Sequence, residues 1–71
     1  VNKIHPKKLL NSKWTAVNPR NKEKHFLLTE LEFDEDDTVI HCLIEAVMSN
    51  RSEPIQWQEL KNSEHWLQGW K

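Results

Sequence analysis

The sequence predicts a mainly β chain, with α+β character only at its margins, and three observations predict it. Residues 38–49 alternate strictly, so that Ile40, Cys42, Ile44, Ala46 and Met48 form one wholly apolar face. Residues 25–33 alternate as well, with Leu27, Leu31 and Phe33 sharing a face with Thr29. Turn-forming clusters at residues 18–22, 34–37 and 50–53 separate the apolar runs. A helix competes over residues 38–48, but alternation and β-branching favour a strand there.

Taken in order, residues 1–5 read as a loose terminus. Pro6 opens a helical turn, because its fixed φ suits the first helical position, and Leu9 and Leu10 then turn inward. Lys13-Trp14-Thr15-Ala16-Val17 reads as the first strand. Asn18-Pro19 initiates a turn in which Asn replaces the missing glycine. The second strand is residues 25–33, and Asp34-Glu35-Asp36-Asp37 is an acidic turn too polar to bury. The third strand has a second face that is half-apolar, with Val39, Leu43 and Val47 broken by His41 and Glu45, and apolar residues on both sides make it central. Pro54 starts the last strand, at an edge where a missing N–H is tolerated. Asn62 or Ser63 caps a final helical turn, which sets Trp66 and Trp70 on one face; alternatively Gly69 stops that turn in the left-handed region and folds Trp70 back. The expected architecture is a four-stranded antiparallel meander, twisted as an SH3-like half-barrel, with a short C-terminal helix or 3₁₀ turn packed on it.

The chain of 71 residues is read as one domain, 1–71, near the lower size limit for a self-sufficient core. One cysteine, Cys42, allows no intramolecular disulfide, which points to a reducing cytoplasm. No stretch approaches the roughly 20 apolar residues of a membrane span, and residues 1–10 lack the apolar run of a signal peptide. The net charge of -1 hides an asymmetry. Residues 1–25 hold seven Lys and Arg against Glu23 alone, whereas residues 26–71 hold three against ten acids. Such halves suit a basic arm for an anionic partner, or two faces that simply cancel in the fold.

The run Pro6-Lys7-Lys8-Leu9-Leu10 followed by Ser12-Lys13-Trp14-Thr15-Ala16 resembles the opening of a family of small tryptophan-rich conserved hypothetical proteins of bacteria. The resemblance continues through Pro19, Glu23-Lys24-His25-Phe26, Glu45-Ala46, Arg51, Trp57, Glu59-Leu60, Trp66 and Gly69-Trp70. It implies a whole-chain, soluble, bacterial domain of unknown function and carries over no catalytic residue.

Chemistry-bearing patterns are sparse. The metal-ligand types are Cys42, His5, His25, His41 and His65, without a Cys-x-x-Cys or His-x-x-x-His pair, and adjacent His41 and Cys42 point to opposite faces of a strand. The serines at 12, 49, 52 and 63 sit in turns or caps, and the single glycine builds no phosphate cradle. No enzyme activity, metal or cofactor is expected. The four tryptophans carry the functional expectation, each able to bury roughly 150–250 Å². Trp57 and Trp66 are expected to be mainly structural, and Trp14 and Trp70 to be the exposed pair of a protein-interaction module. The alternative is single-stranded nucleic acid or RNA, held by Lys7, Lys8, Lys13 and Lys24 with Trp14 as a stacking platform. The expected partner is thus an unidentified protein or a nucleic acid, not a membrane, and the chain itself a monomer or weak homodimer.

Overall fold

The computed structural model describes residues 2–20 and 22–71. It shows the expected β class with five strands rather than four: β1 (Lys13–Arg20), β2 (Glu23–Phe33), β3 (Val39–Ala46), β4 (Arg51–Pro54) and β5 (Trp66–Gln68). Two 3₁₀ turns, Pro6–Lys8 and Trp57–Lys61, are the only helical segments among the described residues. All strand pairs are antiparallel, in the order β4-β3-β2-β1-β5. The meander runs β1 to β4, and β5 returns to the free side of β1.

The turns rest on left-handed residues. Asn11, Lys22, Asp37 and Asn50 all have φ near +60°, and Gly69 has φ +81°. Asn and Asp reach that region most easily after glycine, which is why a chain with one glycine turns so often at them. In the acidic turn the Asp34 carboxylate accepts from the main-chain N–H groups of Asp36 and Thr38, each at 2.9 Å. Asn21, part of the expected first turn, lies outside the described residues, as does Val1. Within that turn β1 continues to Arg20, so Asn18 and Pro19 belong to an irregular strand end rather than to the turn.

The core lies on one face of the sheet: Leu9, Trp14, Phe26, Leu28, Cys42, Ile44, Ala46 and Leu60 are buried. Three of the five residues expected inward on β3 are there. The other two are not. Ile40 is exposed because two bulges interrupt the β2–β3 ladder. The register steps between Leu28/Ile44 and Glu30/Leu43, leaving Thr29 extra on β2. It steps back between Glu32/His41 and Phe33/Val39, leaving Ile40 extra on β3. A bulge re-aims side chains, and the first one splits the face expected to hold Leu27, Thr29, Leu31 and Phe33: Phe26 and Leu28 point inward opposite Ala46 and Ile44, and past the bulge Leu31 packs on the same core. Met48 is exposed because β3 stops at Ala46, and residues 47–50 form a tight turn closed by Asn50 N–H on the Ala46 carbonyl.

The remaining differences follow from β5. Residues 66–68 form a strand, not a helical turn, so Trp66 and Trp70 do not share a helical face. Trp66 lies opposite Ala16 and meets Phe26 edge-on, with ring centroids 5.2 Å apart. The expected last strand is shifted as well: Pro54 ends β4, and Trp57 begins a 3₁₀ turn. Residues 2–5 are tied rather than loose. The Asn2 amide donates to the Leu60 and Trp66 carbonyls, and Gln68 donates to Lys3 O. Leu10 points outward, while Leu9 fills the core alone.

Candidate interaction site

Trp70 stands on the sheet face opposite the core. After β5 the left-handed Gly69 redirects the chain across the outer side of β1 and β2. Thr15, whose side chain faces outward between two inward residues, receives this crossing. Its hydroxyl donates to the Gly69 carbonyl at 2.7 Å and accepts the Lys71 N–H at 2.9 Å, and it is buried as a result. The Trp70 indole N–H donates to the main-chain carbonyl of Phe26 at 3.0 Å. The Lys13 ammonium lies 4.8 Å from the centre of its ring, and the His25 ring stands tilted by 36° at 6.0 Å. Trp70 is nonetheless 44% exposed. It is therefore a fixed ring with open apolar edges. Leu67, paired with Thr15, and half-buried Leu27, paired with Lys13, extend the apolar surface beside it.

The other expected contact residues do not gather there. Trp14 is 2% exposed, so it belongs to the core and not to an exposed pair. β5 covers the side of β1 that a four-stranded meander would leave open, and the Trp14 indole N–H is bound by Ser12 Oγ at 2.8 Å. Trp57 and Trp66 are half-buried against the core. Lys7 pairs with Asp37 at 3.5 Å, with both side chains exposed. Lys8 lies in a shallow groove with Lys3, His5 and the edge of Trp14. Lys24 is exposed at the start of β2. Of the six residues, Lys13 and Trp70 are brought into cation–π contact.

A second feature escaped sequence reasoning. A groove of about 380 Å³ has Ala16, Phe26 and Trp66 among its lining and charged walls from Arg20, Glu23, Arg51, Glu53, Glu59 and His65. Its anchor is Glu23, 5% exposed, which accepts from Arg51 Nη2 at 2.6 Å, from Arg51 Nε at 3.1–3.2 Å and from Ser49 Oγ at 2.5 Å. The Arg51 hydrogen bonds, and after them the Ser49 hydroxyl, hold the Glu23 carboxyl below its ordinary pKa. Arg51 also donates to Glu53 at 2.8 Å, and both carboxylates push its pKa up. This cluster ties the start of β2 to the β3–β4 turn. Glu23 is the sole acid among the first 25 residues, and that was the one signal available. The Cys42 thiol is raised by burial, as for a core hydrophobe.

A family model described as Tryptophan-rich protein (DUF2389) matches residues 12–71. The chain belongs to this family. The match spans all five strands and both the Trp70 face and the Glu23–Arg51 cluster. The function of the family is unknown. No curated protein and no solved structure matches the chain. Among the described residues no helix is long and apolar enough to cross a membrane.

Proposed function

We propose that this domain is a non-catalytic protein-interaction module that contacts its partner through the outer face around Trp70. One observation carries the reading: the ring is exposed and yet held by the Phe26 carbonyl and the Lys13 ammonium. An aromatic side chain ordered before binding loses little conformational freedom on contact, which is the usual quality of an interface anchor. Leu27 and Leu67 widen the apolar surface, and Lys13 and His25 supply a polar rim.

Nucleic acid is the alternative reading, and the ring positions disfavour it. Trp14 is buried and offers no face to a base. The Lys13 ammonium sits over Trp70, so a base stacking there displaces it. The test compares intact chain, Trp70→Ala and Lys8→Ala by quantitative affinity capture from native extract, alongside fluorescence titration with short single-stranded DNA and RNA at low and high salt. Loss of specific protein capture in Trp70→Ala alone supports the module. Equal capture by all three removes it, and salt-dependent nucleic-acid binding led by the lysines replaces it with the alternative.

A further inference from the structure

We propose that the hollow beside the N-terminal half of β3 receives a short extended segment of a partner protein, apolar at its centre and basic at its C-terminal end. The observation is an unfinished edge. β4 pairs only with residues 43–46 of β3, and one further bond, Ile55 N–H to the Cys42 carbonyl at 3.1 Å, closes the ladder. The chain then leaves the sheet for the 3₁₀ turn at Trp57. Val39, Ile40 and His41 therefore have no strand on that side. The other edges are blunted: β5 has three residues and is overlaid by Asn2 and Lys3, while β4 has four and carries Arg51, Glu53 and Pro54. Natural sheets usually blunt every edge by short strands, charges or Pro.

The hollow along this edge is about 330 Å³; Ile40, Ile55 and Trp57 give its lining an apolar part, and His41, Gln56 and Gln58 a polar one. Ile40 is 62% exposed at its mouth, where the bulge pushes it. The exposed Ile40 side chain is the apolar contact that the centre of such a segment would cover, and the Gln56 and Gln58 amides stand beside it for the segment's polar groups. The charge comes from the acidic turn that leads directly into β3. Its Asp34 carboxylate is engaged by the turn and Asp37 pairs with Lys7, whereas Glu35 and Asp36 are exposed and make no ion pair among the described residues. A segment antiparallel to β3 ends at this turn, so its C-terminal residues meet those two carboxylates. The bulge at Ile40 bends the edge, which favours a segment of a few residues over a long flat strand. A second copy of this chain is the poorer occupant, because its β3 brings no Lys or Arg.

The experiment is an amide-resolved NMR titration of the full chain at low salt. Its probes are two capped heptapeptides of alternating valine and threonine, one ending in two lysines and one in two glutamates. The lysine peptide is expected to shift the amides of Val39, Ile40 and His41 and the Trp57 indole, and to bind at least about tenfold tighter than the glutamate peptide. Ile40→Asp abolishes these shifts, and Trp70→Ala leaves them, which separates this site from the outer face. The paired change Glu35→Gln and Asp36→Asn removes the preference for lysine and decides the matter alone should Ile40→Asp not fold. Shifts centred elsewhere, or equal binding of both peptides, overturn the proposal. So does a dimer in sedimentation that Ile40→Asp dissolves without peptide, since the edge then belongs to a second copy.

Discussion

Trp14 and Trp70 differ in environment more than any spacing rule suggests. Trp14 is enclosed by β2, β5 and the Ser12 hydroxyl; Trp70 is pinned at one edge and open at the others. Trp14→Ala is expected to cost about 3–5 kcal/mol, as for a buried aromatic. Ile44→Ala, at a fully buried position, should cost about 2–5 kcal/mol. Chemical denaturation at constant m value checks both. Wild-type stability for Ile44→Ala would mean that β3 presents its other face, since a one-residue slip exports this side chain. Glu23 gives a pH prediction. Its folded pKa lies below the ordinary value of 4.5, so its contribution is present above that value and is lost as pH falls through the folded pKa. Melting of wild type and Glu23→Gln should thus differ at neutral pH and converge in acid. A gap that persists unchanged into strong acid would remove the carboxylate from the explanation.

Strand β5 and the residues after it decide what the four tryptophans do. A three-residue strand is too short for alternation to reveal, and Ser63-Glu64 before it mimics a helix start. As a helical turn, that stretch would leave β1 at an edge and Trp14 accessible. Once β5 pairs with β1, Trp14 becomes interior and Gly69 becomes the point where the chain changes sheet face. Space is not what Gly69 provides, since nothing lies within 4 Å of an added Cβ; its φ of +81° is. Gly69→Val is therefore expected to cost about 1–2 kcal/mol of backbone strain and to release Trp70 while the sheet remains. Far-ultraviolet circular dichroism should stay β-like, and Trp70 should gain access to acrylamide. A Gly69→Val chain that keeps Trp70 as protected as wild type would show that the crossing does not depend on that conformation.

In the whole molecule, the β class and the inward set Cys42, Ile44 and Ala46 were legible because alternation is local. So was the acidic turn, whose chemistry is complete within five residues. The bulges at Thr29 and Ile40 were not, because their register shifts cancel along β2 and β3 and neither residue type marks them. The Glu23–Arg51 pair joins residues 28 apart and emerges only from topology. The Trp70 face needed both the fifth strand and the glycine crossing. A domain of this size holds on the order of 4–10 kcal/mol of stability, so loss of one core tryptophan is decisive and loss of one surface ring is not.

Thermal melting and partner capture, measured together on Trp14→Ala and Trp70→Ala, separate a core ring from a contact ring. Trp70→Ala forfeits one hydrogen bond and one cation–π contact, about 1–2 kcal/mol together, so its Tm should fall by about 4–16 °C with capture lost. Trp14→Ala should melt far lower, with its remaining folded fraction capturing partner normally. If Trp70→Ala melts as low as Trp14→Ala and captures as much partner per folded molecule, Trp70 is core, and the outer face is not where this domain makes contact.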